Sequence, residues 1–71
     1  MASDAQLKLD GQRRAIREHI EKYKTYQIEH EKAFAYKTIR NCQAQIVNII
    51  RRAPHLKPSW EDKWLPGAPE R

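Results

Sequence analysis

Three histidines, one cysteine and several glutamates are the residues of this 71-residue chain that could bind a metal or perform acid–base chemistry. Structural zinc sites need paired Cys or His residues at short spacing, and bundle di-iron sites need a Glu-x-x-His pattern. Neither pattern is present, because His19, His30 and His55 are isolated from one another and Cys42 is the only cysteine. We therefore expect no metal site and no cofactor.

Cys42 is the strongest candidate nucleophile by residue type, but its position argues against catalysis. It falls in an apolar stripe, where burial raises the pKa of a thiol and keeps it protonated. The sequence contains no glycine-rich phosphate loop and no nucleophile elbow, since its only glycines are Gly11 and Gly67. We interpret the chain as a non-enzymatic protein without a small-molecule substrate. A small nuclease-like site built on His30 or His55 is the catalytic alternative.

The basic residues form a distinctive pattern along the chain. There are 14 Lys and Arg against 9 Asp and Glu, a formal net charge of +5, and positions 32–60 contain no acidic residue. Such an uneven charge attracts acidic or polyanionic partners. A solvated outer helix face is the alternative interpretation. The first helix adds a second candidate patch at Arg13, Arg14 and Arg17, and the residues that we expect to contact an anionic partner are Lys37, Arg40, Arg51 and Arg52.

Two amphipathic helices are predicted before the first proline. The stronger apolar stripe repeats at alternating steps of four and three residues, the period of one helix face, and predicts a helix over about residues 31–53. Its members are Ala35, Ile39, Cys42, Ile46, Ile49 and Ala53. A weaker stripe predicts a helix over about residues 5–24, or from Gln12 if Gly11 delays its start, and its members are Leu9, Ile16, Ile20 and Tyr23.

The two apolar stripes are out of phase by about one residue across residues 25–30. A turn there folds the chain into an antiparallel hairpin, whereas one continuous helix needs a partner along its length. We predict the hairpin, an all-α fold of residues 1–53, with residues 54–71 as a separate C-terminal segment. A two-helix hairpin has one packing layer, so we also predict self-association into a four-helix bundle through surplus apolar residues. These residues are Phe34, Tyr36, Val47 and Ile50.

The C-terminal segment contains all four prolines of the chain and both tryptophans. Ser59 with Asp62 predicts the cap of a short helical turn, which would place Trp60 and Trp64 on one face. We expect Trp60, Trp64 and Leu65 to contact an apolar partner. The alternative is that both tryptophans fold back and complete the core of the hairpin.

These patterns predict an adaptor or small regulatory subunit that binds a protein partner or a second copy of itself. We expect a cytoplasmic location and no membrane contact, since the sequence contains neither a membrane-length apolar run nor a basic-then-apolar N-terminal signal. The alternative function is nucleic-acid binding through the basic face of the second helix. No motif for base readout accompanies that face.

Overall fold

Two long helices and one short 3-10 helix make up the regular structure of the chain. The computed structural model describes residues 3–68 and 70. Helix α1 spans Asp4–Thr25, helix α2 spans Glu29–Arg52, and the 3-10 helix spans Trp60–Lys63. The described residues contain no strand. The predicted all-α hairpin is therefore confirmed, with helix bounds close to those expected from the apolar period.

Helix α1 begins where the Ser3 side chain caps it. The Ser3 hydroxyl oxygen accepts a hydrogen bond of 3.1 Å from the Gln6 backbone N–H, which satisfies one of the unpaired donors of the first turn. The Gln6 side chain donates to Asp10 at 2.8 Å instead of closing a capping box with Ser3. Gly11 lies inside the helix and does not delay its start.

The turn between the helices is shorter than the predicted 25–30 and needs no glycine. Tyr26 and Ile28 have extended backbone, with ψ values of 137° and 126°, and these two residues end one helix and begin the next. The hairpin is antiparallel, because Tyr23 near the end of α1 packs on Tyr36 near the start of α2, with 6.3 Å between ring centroids.

The core lies between the helices and under the C-terminal segment. Helix α1 contributes Leu9, Ile16 and Ile20, α2 contributes Ala35, Ile39 and Ile46, and the following residues contribute Ala53, Leu56 and Trp64. Both predicted stripes are present, but the buried face of α2 is rotated toward Gln43. Gln43 is buried whereas Cys42 and Ile49 are half-buried, because the C-terminal segment covers the Gln43 side of the helix.

Residues 54–68 and 70, which we call the tail, run back across the hairpin. The backbone N–H of Ser59 donates to the Asp62 carboxylate at 3.1 Å, which confirms the predicted pairing of these two residues at the start of the 3-10 helix. Beyond it, Ala68 N–H donates to the Leu65 carbonyl at 2.9 Å. Pro66 and Gly67 occupy the centre of this turn, and Gly67 has a φ of +86°, as a type II turn requires at that position.

Part of the surplus apolar surface that suggested dimerisation is covered within the chain. Tyr36 and Ile50 are half-buried against the core, while Phe34 and Val47 remain 72% and 53% exposed. Dimerisation into a four-helix bundle stays a prediction.

Candidate functional site

A buried ion pair fastens the tail to α1. Arg13 donates from Nε and Nη2 to the two carboxylate oxygens of Asp62, at 2.9 Å and 2.8 Å, and from Nη2 to the Lys57 carbonyl at 3.0 Å. The Arg13 and Asp62 side chains are only 11% and 9% exposed. The hydrogen bond to Asp62 is the main cause that raises the pKa of Arg13 above its ordinary value. Both charges are therefore fixed and satisfied inside the fold.

A second ion pair and a buried amide complete this attachment. Arg17 donates to the Glu61 carboxylate at 2.6 Å, and Gln43 donates to the Glu61 and Trp64 carbonyls at 3.1 Å and 2.9 Å. Burial alone would raise the pKa of Glu61. Hydrogen bonds from the Ser59 hydroxyl, the backbone and Arg17 outweigh burial, so the pKa of Glu61 lies below its ordinary value. We call these contacts of Arg13, Arg17 and Gln43 with Glu61, Asp62 and their neighbours the tail latch.

The tail latch changes the interpretation of the basic patch predicted on the first helix. Arg13 and Arg17 serve the tail, which leaves Arg14 as the exposed member of that candidate patch without an ion pair among the described residues. The sequence held a signal for this pairing. Arg13 lies at the edge of the apolar stripe of α1. Glu61 and Asp62 lie between two tryptophans, and the packing of both tryptophans on the core places these two acidic residues beside it.

A groove runs between α2 and the tail. It consists of two adjoining depressions of about 340 Å³ and about 510 Å³ that share Val47, Asp62 and Lys63. Arg40, Ala44 and Leu65 line one depression, and Ile50, Arg51 and Pro58 line the other. We call this surface the tail groove. Each volume lies within the roughly 300–1,000 Å³ of ordinary ligand sites.

On its α2 side, the tail groove follows one stripe of the helix surface, and this stripe extends beyond the groove. The stripe consists of Lys37, Arg40, Ala44, Val47 and Arg51, at steps of three and four residues. At a rise of 1.5 Å per residue, it extends over about 21 Å. Val47 and Leu65 are 53% and 49% exposed, so an apolar centre lies between cationic side chains. Asp62 is the acidic residue in the lining, and Arg13 already neutralises it.

A second groove lies between the first turns of α1 and the end of α2. Its volume is about 640 Å³, and it is lined mainly by polar side chains. The lining comprises Ala5, Lys8, Gln12, Gln45, Asn48, Ile49, Arg51 and Arg52, with no acidic member. We call it the open-end groove.

The predicted binding residues are divided between these surfaces and the core. Arg40, Arg51 and Leu65 meet in the tail groove, and Lys37 extends its α2 stripe. Arg52 belongs to the open-end groove.

The two tryptophans are placed differently from Leu65. Trp64 is 3% exposed and packs edge-to-face on Tyr23, with 5.9 Å between ring centroids, so its indole completes the core and only borders the groove. Trp60 is half-buried against the same core. Val47 and Lys63, which the sequence analysis did not assign to a site, take the places beside Leu65.

The candidate chemical residues remain separated. Within residues 3–68 and 70, no three His, Cys, Asp or Glu side chains are close enough to share a metal ion. Cys42 is half-buried, and burial raises the pKa of its thiol. His19 Nδ1 lies 2.8 Å from the Ala15 carbonyl, while His30 and His55 are exposed. Neither α1 nor α2 has an apolar stretch sufficient to traverse a lipid bilayer.

Comparison with known proteins gives no relative for this chain. It matches no protein-family model, no curated protein and no solved structure. The class that its fold defines is a two-helix hairpin closed by a latched tail.

Proposed function

We propose that this chain is a non-enzymatic protein-interaction module, of adaptor or small regulatory-subunit type, that binds its partner through the tail groove. The observation that carries this proposal is the pair of half-exposed apolar side chains, Val47 and Leu65, in one groove bordered by Arg40, Arg51 and Lys63. A cytoplasmic location belongs to the same proposal.

Isolated apolar residues on a protein surface are ordinary, and Phe34 is one of them. Val47 and Leu65 differ because they line a single depression together with Ala44 and the edge of Trp64. Concave apolar surface with a polar rim is typical of a protein-binding site.

The walls of the tail groove are held before any partner arrives. One wall is a helix, and the tail latch fixes the other through Arg13, Arg17 and Gln43. A rigid site loses little conformational entropy on binding, which favours its use for recognition.

Selection from a random peptide library displayed against the intact protein tests the proposal. Selected peptides should perturb the backbone amide resonances of Ala44, Val47 and Leu65 in ¹⁵N–¹H spectra. Val47→Gln should weaken their binding about tenfold, since loss of an apolar contact of this size costs on the order of 1.4 kcal/mol.

Phe34→Gln is the matched control, because it removes a large exposed apolar side chain outside the tail groove. It should leave the affinity unchanged. The proposal is wrong if selected peptides perturb other surfaces, or if Phe34→Gln weakens binding as much as Val47→Gln does.

Nucleic-acid binding is the second candidate function, and the open-end groove favours it. The lining of the open-end groove contains three cations, Lys8, Arg51 and Arg52. It also contains the side-chain amides of Gln12, Gln45 and Asn48 and no acidic residue. Lys and Arg with Asn and Gln supply most side-chain contacts to phosphates. In this case mixed-sequence DNA or RNA should bind with an affinity that falls steeply with salt, and Lys8→Gln/Arg52→Gln should reduce that slope. Absence of binding at low salt would exclude this candidate.

A further inference from the structure

We infer that the occupant of the tail groove is an acidic amphipathic helix of a partner protein, lying along the stripe from Lys37 to Arg51. This inference rests on the proposed function, which supplies the groove but not the chemistry of what fills it. The occupant would place apolar side chains against Val47 and Leu65 and carboxylates toward the cations at each end.

Charge complementarity selects an acidic partner. Arg40 and Lys63 border one depression of the tail groove, and Arg51 and Lys63 border the other. Asp62 lines both depressions, but its carboxylate oxygens accept two hydrogen bonds from Arg13, so its charge is compensated from within. The groove is therefore positive around an apolar centre, and it disfavours a basic segment by like-charge repulsion.

The absence of a strand among residues 3–68 and 70 disfavours a partner that binds by strand addition and favours a helical one. An extended peptide gains affinity by pairing its backbone with an exposed sheet edge, but the part of the chain that the structure describes contains no strand. A helix satisfies its own backbone and needs only side-chain contacts. Ala44 lies at the middle of the α2 stripe, between Arg40 and Val47, and its small side chain allows a second helix to approach closely.

Helix α1 of a second copy of this chain is a poorer match for the same groove. The exposed acidic residues of α1, including Asp10, Glu18 and Glu21, alternate with Arg14, Lys22 and Lys24. The outer face of α1 is thus mixed in charge and offers little attraction to a positive groove. Leu7 is the large exposed apolar residue of α1. It lies near the start of the helix, far along the helix from Glu18 and Glu21.

Two synthetic helical peptides of about 16 residues provide the test. Both carry Leu at the same i, i+3, i+4 and i+7 positions, and the flanking positions are Glu in one peptide and Lys in the other. Titration by fluorescence anisotropy should show the acidic peptide binding at least tenfold more tightly than the basic one. Higher salt should reduce that difference.

A charge-reversed protein tests whether Arg40 and Arg51 of the α2 stripe set the charge preference. In Arg40→Glu/Arg51→Glu the preference should reverse, so that the basic peptide binds more tightly. Arg14→Glu/Lys22→Glu is the matched control, since it makes the same change in net charge on exposed residues of α1 and should keep the preference for the acidic peptide. Circular dichroism verifies that each variant is folded. If the charge-reversed variant does not fold, Arg40→Gln/Arg51→Gln replaces it, and this neutral variant should abolish the preference for the acidic peptide.

Other outcomes separate this inference from the proposed function. If the random library selects peptides that bind the tail groove but are not acidic, the inference is overturned and the interaction module stands. If neither library nor synthetic peptides bind the groove, both are overturned. The inference also fails if the acidic preference survives Arg40→Glu/Arg51→Glu or if single-stranded DNA displaces the acidic peptide at equal charge concentration. Dimerisation that this variant abolishes would assign the groove to a second copy instead.

Discussion

Replacing Asp62 with Asn removes one negative charge from inside the tail latch while keeping a side chain of the same shape. The Arg13 guanidinium then loses its charged partner at 2.8–2.9 Å and keeps the Lys57 carbonyl at 3.0 Å. Breaking a buried ion pair by removing one partner costs about 3–5 kcal/mol. Because each side chain keeps about a tenth of its exposure and the Asn oxygen still accepts hydrogen bonds, we expect about 2–3 kcal/mol.

This loss is large for a chain of 71 residues. At about 0.05–0.15 kcal/mol per residue, its free energy of unfolding is on the order of 4–11 kcal/mol. The thermal midpoint of Asp62→Asn should therefore fall by roughly 10–20 °C. Urea and thermal unfolding should be followed by both tryptophan fluorescence and far-ultraviolet circular dichroism.

The control removes a carboxylate charge from the same tail at its exposed ion pair. Glu70→Gln breaks the contact with Lys24, which lies at the surface, and should leave the midpoint unchanged. Arg13→Met combined with Asp62→Asn should cost less than the sum of the two single changes by about 1–3 kcal/mol. An unchanged midpoint for Asp62→Asn, or strictly additive effects, would show that the ion pair does not stabilise the fold.

Four further predictions concern the core, the latch and the assembly state. Trp64→Ala should destabilise the fold by about 3–5 kcal/mol in urea unfolding, because it leaves a cavity beside Tyr23. A smaller effect than that of Phe34→Ala would contradict the buried position of Trp64. Gln43→Leu should cost about 1–3 kcal/mol, since the Trp64 carbonyl loses its Gln43 donor and the Glu61 carbonyl keeps only the Trp64 N–H, and an unchanged midpoint would refute those bonds. The lowered pKa of Glu61 makes its contribution complete above the ordinary pKa of Glu, about 4.3, and lost as pH falls through the lower folded value. Glu61→Gln should therefore show a weaker loss of stability between pH 5 and 2 than the original chain, and an identical acid profile would refute this assignment. Light scattering over a concentration series tests the four-helix bundle, which a single-chain mass at every concentration would exclude.

The parts of the fold that repeat locally were predictable from the sequence. The period of Ile39, Ile46 and their neighbours placed α2 within two residues of its observed start and one of its end, and the phase difference between the stripes indicated a hairpin. The pairing of Ser59 with Asp62 was equally local. These features depend on residues three or four positions apart, which a helical period or a cap relates directly.

The tail latch could not be predicted in the same way. Arg13 and Asp62 are 49 positions apart, and no local period relates them. The sequence analysis therefore grouped Arg13 and Arg17 with surface cations. The burial of Gln43 was missed for the same reason, because its partners are backbone carbonyls of a distant segment. The tail groove also depends on the path of the tail, so Val47 was recognised only as surplus apolar surface.

Under the proposed function, the tail latch makes partner binding and tail closure parts of one equilibrium. Pro58, Lys63 and Leu65 form a wall of the tail groove only while Arg13 and Arg17 hold the tail against α1. The apparent affinity for a groove ligand equals the affinity of the closed form multiplied by the fraction of molecules that are closed. Under the proposed function, a change in the latch should therefore alter the affinity without changing any contact to the partner. A bound partner should in turn protect the tail from proteolysis and stabilise its attachment to the hairpin.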